Sequence, residues 1–265
     1  MYDYCLEMIS KISTNTSLFL FAHQDDECGV FQAIYSELRS GTAVHCCFFT
    51  SGTPSGLSSS IRDMESQRVL SKLGVEPENI HFIGGKYTIP DGDLISQVNL
   101  VYEWIFSFLK NNRNSINIYL PAWEGGHPDH DVLHAAGVMA AKHADFINTT
   151  YQFPLYNGYR CFGPLFRTLL PLIENGEVRS SRIKFLNRFR FLGFCLRYPS
   201  QLKTWVGLFP FFFLHYFFWG SQALQKVSIE RLFQKPHGGR LYYERRKFSS
   251  WEKVFSRLSL FLKKT

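Results

Sequence analysis

Acidic residues are scarce in one half of this chain. Residues 151–265 hold five Asp and Glu against 20 Lys and Arg, whereas residues 1–150 hold 17 against nine. The halves therefore carry +15 and −8 within a net charge of +7. A basic half so poor in acids points to phosphate, anionic lipid or nucleic acid as a partner. Paired cysteine spacing is also missing. The six cysteines, at 5, 28, 46, 47, 161 and 195, form no zinc ribbon or secreted disulfide framework, and a reducing cytosol fits them best. The segment from Met1 to Glu7 has neither a basic n-region nor an apolar h-region, so export is not expected. No internal repeat or low-complexity tract is evident. What is present is a composition 45% hydrophobic over 265 residues, enough for one substantial core and a smaller appendage.

From residue 17 to 143 short apolar runs alternate with longer amphipathic stretches, the pattern of a βα-repeating, mainly parallel sheet. Strands are expected at Leu18 to Ala22, Val44 to Thr50, Ile80 to Ile83 and Ile116 to Leu120. Helices are expected at Gly29 to Arg39, Ser60 to Leu73, Leu94 to Asn111 and Asp131 to His143, with Gly41 and Gly74 at C-terminal positions. The fold class is α/β, a Rossmann-like three-layer sandwich. Residues 1–150 are expected to form the core that carries the site, and residues 151–265 a basic, aromatic-rich extension completing the fold on the substrate- or membrane-facing side. In the extension Pro154, Pro164, Pro171, Pro199 and Pro210 punctuate the chain and strand–helix alternation is lost, so helices and loops are expected there.

Two polar clusters follow apolar strands. His23-Gln24-Asp25-Asp26-Glu27 comes directly after Leu18 to Ala22, and His127-Pro128-Asp129-His130 comes after Ile116 to Leu120. Uncompensated charge beside a core strand is costly, and such clusters persist where a metal or substrate neutralises them. In open parallel sheets ligands gather at the carboxyl ends of strands, which brings both clusters to one edge. Two histidines and a carboxylate are a standard set for a catalytic zinc site, and His23, Asp26 and His130 can supply it. Asp25 is placed to act as general base toward a metal-activated water. His127, protonated and held by Asp129, can stabilise an oxyanion and donate to a leaving amine. Glu27 is expected to support the turn or the following helix N-terminus. This is the chemistry of amide hydrolysis.

Ala22-His23-Gln24-Asp25-Asp26-Glu27 and His127-Pro128-Asp129-His130 resemble the paired motifs of the PIG-L/LmbE family of metal-dependent de-N-acetylases. Gln24 stands where the first motif usually has proline, a departure that alters loop rigidity. The resemblance implies zinc, with Fe2+ or Co2+ as alternatives, bound by His23, Asp26 and His130. It implies Asp25 as base and His127, oriented by Asp129, as electrophilic or acid partner. Arg62-Asp63-Met64-Glu65, followed by Leu73-Gly74-Val75, resembles the family's Arg-x-x-Glu helix, which would turn Arg62 toward the sugar. The competing reading of Arg62 is an ion pair with Glu65 or Glu27. Gly84-Gly85 and Asp91-Gly92 resemble a loop whose acidic residue bonds substrate hydroxyls, which makes Asp91 a second candidate for substrate contact.

The implied activity is removal of acetyl from an N-acetylglucosamine-type sugar, lipid- or phosphate-linked, in the cytoplasm and at the inner face of the membrane, with no nucleic acid expected as partner. Trp205 to Gly220 is apolar almost throughout yet shorter than the about 20 residues of a spanning helix. Two readings stand for it: a buried helix pair or hairpin completing the core, or an interfacial segment on an anionic membrane, flanked by Arg197, Lys203, Lys226 and Arg231. Cys28 reads as a small residue packing a helix start on the sheet. Cys46 and Cys47 point to opposite strand faces, His134 and His143 belong to a helix surface, and His237 to a turn. The rival functions are a two-metal phosphoesterase acting on a sugar phosphate, which needs more ligands than are seen, and a non-catalytic module binding an anionic membrane or ligand.

Overall fold

A computed structural model describes residues 15–112, 115–163 and 165–265. The N-terminal segment read for export, Cys5 and Pro164 lie outside the described residues. Seven strands make one sheet in the order β3-β2-β1-β4-β5-β9-β8. They are β1 (Thr16–Phe21), β2 (Ala43–Phe48), β3 (Ile80–Phe82), β4 (Ile116–Pro121), β5 (Thr150–Phe153), β8 (Val178–Arg182) and β9 (Ser221–Lys226); a separate hairpin pairs β6 (Tyr156–Asn157) with β7 (Arg167–Thr168). The first five pair in parallel, while β9 runs antiparallel to β5 and β8 antiparallel to β9.

Alternation along β1 shows why the sheet is the middle layer. Leu18 and Leu20 enter one core with Val101 and Ile105 of α3 (Val98–Asn111), Val132 of α4 (Pro128–His143) and Leu258 of α7 (Trp251–Lys264). Phe19 and Phe21 enter the other core, which gathers Ile34 of α1 (Phe31–Arg39), Leu70 of α2 (Ser60–Leu73), Phe191 of α5 (Phe185–Cys195) and Phe212 of α6 (Leu202–Leu214). A strand buried on both faces reads as a continuous apolar run, because successive side chains supply opposite cores. The loops after β1 and β4 flank the point where strand order reverses, which is where open α/β sheets take ligands.

The expectation of helices and loops alone after residue 150 is overturned. β5 begins at residue 150 itself, and β9 and β8 extend the same sheet. Their sequences concealed them: every residue of β8, Val-Arg-Ser-Ser-Arg, is exposed on the outer edge, so it carries no apolar alternation. The aromatic stretch is buried on one side only. It forms α6 and a π-helical turn, His215–Trp219, with Trp205, Phe212, His215 and Tyr216 buried and much of the remaining surface exposed. Among the described residues no helix is long and apolar enough to cross a membrane.

His134 is corrected as well: it is fully buried in α4, where its Nδ1–H donates to the Pro121 carbonyl at 2.8 Å. His143 is half-buried and bonded to the Tyr102 hydroxyl.

Candidate metal centre and active site

The loop after β1 is built around Asp26. The backbone N–H groups of Ala22 and His23 donate to its Oδ2 at 3.0 and 2.8 Å, which turns Oδ1 toward His130 Nε2 at 3.1 Å. His130 arrives from the first turn of α4, and its Nε2 lies 3.2 Å from His23 Nδ1. On the far side of the His23 ring, Nε2 faces Asp91 Oδ1 at 3.0 Å and Asp129 Oδ2 at 3.2 Å. Carboxylates only accept, so Nε2 carries the proton and the lone pair of Nδ1 points at His130 and Asp26. One ligand atom each from His23, Asp26 and His130 lie within 4.8 Å of one another, and all three residues are buried. Two imidazole nitrogens converging on a carboxylate suit a divalent metal. A second group, His23, Asp91, His127 and Asp129, is equally compact. It shares His23 with the first, and Asp129 in it is already occupied by backbone donors.

Asp25 is held in the left-handed region at φ 113°, sparsely populated by residues other than glycine. Its N–H donates to Glu27 Oε2 at 2.9 Å, which gives Glu27 the turn-supporting contact expected of it. Burial raises the Asp25 carboxyl to about 7 against the pull of Arg62, with Asp26 and Glu27 adding to the rise. Asp26 behaves oppositely: although burial opposes its charge, His130 and His23 hold its carboxyl well below the usual carboxylate range.

His127 caps α4, and its Nδ1 accepts the Asp129 backbone N–H at 3.2 Å. The ring is consequently neutral with its proton on Nε2, toward Asp91 Oδ1 at 3.6 Å. Burial, with His23 beside it, brings its pKa down to about 4. This differs from the expected protonated His127 held by Asp129. The Asp129 carboxylate is 3.9 Å from His127 Nδ1; it accepts instead from Gly92 N–H at 2.7 Å and Leu94 N–H at 3.1 Å, and it backs His23. Such a carboxylate fixes the tautomer and orientation of a metal-binding histidine.

Arg62 lines the cavity, but its guanidinium donates to the carbonyls of Gly52 and Gln24 and lies 3.4 Å from Asp25 Oδ1. It clasps the motif loop and pairs with Asp25 rather than with Glu65 or Glu27. Gln24 is wholly buried and donates to Asp63 Oδ1 at 2.6 Å, tying the loop to the same helix. Asp91 lines the cavity beside His23 and His127. Burial opposes its charge too, yet His23 and His127 hold its carboxyl well below the usual range.

The cavity above these residues measures about 520 Å³, and its other wall comes from the second half: Tyr156, Phe166, Trp205, Leu208, Phe212 and Tyr242. Lys203 and Arg246 add positive charge to the lining. Sequence reasoning placed the second half on the substrate- or membrane-facing side but named none of these residues as part of the site. Tyr156 follows the carboxyl end of β5, so recognition of the fifth strand would have pointed to it. Two buried carboxylates tie the wall to the motifs: Tyr198 OH donates to Glu27 Oε1 at 2.7 Å, and Ser200 N–H donates to Glu65 Oε1 at 3.0 Å. His237 and Cys28 do not line the cavity, and His237 Nδ1 bonds the adjacent Gly238 carbonyl.

Residues 18–141 match the model of the PIG-L family, described as GlcNAc-PI de-N-acetylase. The match covers 124 of the 265 residues. Both polar clusters, Arg62 and Asp91 lie inside the match, which ends within α4; the apolar wall lies outside it. None of the curated proteins compared with the chain matches it. Solved structures similar to it include a deacetylase triple mutant from the teicoplanin biosynthetic pathway, 18% identical, with TM-score 0.61 over 80% of this chain and 98% of that one. A deacetylase–teicoplanin complex from the same pathway is 17% identical, with TM-score 0.52 over 70% and 87%. N,N'-diacetylchitobiose deacetylase from Pyrococcus horikoshii is 16% identical, with TM-score 0.56 over 86% and 92%. At these identities the likeness shows that the matched core and much of the second half share one fold with these proteins.

Proposed function

We propose that the protein is a zinc-dependent de-N-acetylase that hydrolyses the acetamide of an N-acetylglucosamine-type sugar. The observation that carries this reading is the convergence of His23 Nδ1, Asp26 Oδ1 and His130 Nε2 at the cavity that Asp25 also lines. When bound, the metal would polarise the amide carbonyl and acidify a water. Asp25, its carboxyl raised toward neutrality, takes a proton from the attacking water as the new C–O bond forms. His127 directs its Nε2–H to the developing oxyanion. The C–N bond then breaks, the proton held by Asp25 passes to the leaving nitrogen, and acetate and a free amine result. Asp129 keeps the His23 ring oriented throughout, and Asp91 is placed to accept from a sugar hydroxyl.

The cavity supports a substrate with more than a sugar. Trp205, Leu208 and Phe212 offer an apolar wall to a lipid or aglycone, while Lys203 and Arg246 suit a phosphate linkage. The test is a panel of N-acetylglucosaminyl lipids, nucleotides and glycosides, scored for free amine and acetate together with metal content. Amine and acetate in equal amounts, with one metal per chain, are expected. Two metals per chain with phosphate released and no amine would establish the phosphoesterase instead.

A further inference from the structure

We propose that α5, α6 and the turn that follows form a docking face for an anionic lipid bilayer, which sets the cavity rim at the membrane surface. Exposed apolar side chains make one stripe along α6: Leu202, Val206 and Phe213 recur on one side of the helix, about a quarter turn from the buried Trp205 and Phe212. Val206 is 70% exposed; Phe217 stacks on Phe213 at 5.6 Å, and the adjoining Phe218 and Trp219 are 67% and 62% exposed. Backbone pairing brings a second apolar group alongside. Ile183 N–H donates to the Gly220 carbonyl at 2.8 Å, and Arg188 Nη1 donates to the Phe217 carbonyl at 3.1 Å, so the start of α5, with exposed Phe185 and Leu186, adjoins the aromatic turn. Contiguous exposed aromatics of this extent are unusual on a protein surface facing only water.

Charge identifies the occupant. Between Glu177 and Glu230 the chain holds eight Lys and Arg and no Asp or Glu. Arg182, Lys184, Arg190, Arg197 and Lys203 in this span are exposed. Aromatic side chains interleaved with cations and free of acids match the boundary between acyl chains and anionic headgroups. A second copy of the same face would instead oppose cation to cation.

The face is continuous with the cavity. Lys203, Thr204 and Gly207 of α6 are exposed and line the cavity, on the flank next to the Leu202–Val206 stripe. The helix is anchored to the motif loop through Tyr198 and Glu27, and to α2 through Ser200 and Glu65. An amphiphilic substrate could thus keep its tail in the bilayer while its sugar enters beside α6. That delivery step rests on the proposed de-N-acetylase reading; the docking itself does not require turnover.

The experiment is sedimentation of the whole protein with phosphatidylcholine vesicles, with and without phosphatidylglycerol, read independently of activity. Binding is expected only where phosphatidylglycerol is present, with release at high salt. Replacing Arg182, Lys184 and Arg197 together with Ser should weaken partitioning about hundredfold, at about fivefold for each cation. A Val206→Ser, Phe213→Ser, Phe218→Ser variant with an unchanged circular dichroism spectrum should lose binding, whereas Asp25→Asn should bind as the unchanged protein does. Absence of binding at low salt, equal binding to uncharged vesicles, or binding unaffected by the apolar variant overturns the inference. A dimer abolished by that variant, without vesicle binding, assigns the face to a second copy and also overturns it.

Discussion

Replacement of Asp25 by Asn separates base chemistry from metal binding. The side chain keeps its shape, and asparagine tolerates the left-handed conformation that Asp25 adopts at φ 113°. Arg62 loses a charged partner at 3.4 Å but retains the carbonyls of Gly52 and Gln24, so its guanidinium remains bonded. His23, Asp26 and His130 are untouched, and the metal should stay. What disappears is the proton acceptor. Loss of a positioned general base typically lowers the rate by about 10²–10⁴-fold, on the order of 3–5 kcal/mol of transition-state stabilisation. The measurement is amine release under saturating substrate, with metal content by mass spectrometry and the melting temperature as controls. A variant that retains its metal and turns over within about threefold of the unchanged protein, far short of the loss a base predicts, would refute the assignment of Asp25.

His130→Ala should abolish stoichiometric metal binding, because it removes one of three converging donors while the other two face each other; metal analysis after dialysis checks this. His134 should make folding acid-sensitive: burial, opposed by its bond to Pro121, depresses its pKa from 6.5 to about 4. The neutral ring is therefore favoured in the fold, and stability present above pH 6.5 should be lost as pH falls toward 4, by about 3 kcal/mol. Urea titrations of His134→Gln, compared with the unchanged protein across that range, should show a shallower acid limb; identical limbs contradict the account. Gly84→Ala would place a Cβ 2.1 Å from the Thr50 backbone carbon, two residues beyond β2. A loss of about 1–3 kcal/mol is expected from the forced displacement, readable as a lower urea midpoint.

Several elements were legible because their signal is local. Helix Ser60–Leu73 was read to its boundaries, and the first four strands to within a few residues, since apolar runs and glycine stops are properties of neighbouring residues. The two polar clusters stood out for the same reason: charge directly after an apolar run is visible without coordinates. β8 was not legible, because an exposed edge strand has no buried face to pattern it, and β9, inside the sheet, buries Gln222 and Gln225 instead of apolar residues. His134 looked like surface on a helix that proves to be buried from residue 128 through 141, a consequence of its position between the sheet and α3 and α7.

By itself the sequence determined the α/β class, the two motif loops and the residue types able to hold a metal, all carried by spacing within short segments. Packing of distant segments sets Asp129 against His23 rather than His127, Arg62 around the loop beside Asp25, and α6 over the cavity from the second half. Each of these depends on which of several acceptors or faces lies nearest once distant segments pack. Burial then strengthens the chosen contact and penalises the others, and the chain order alone does not record that choice.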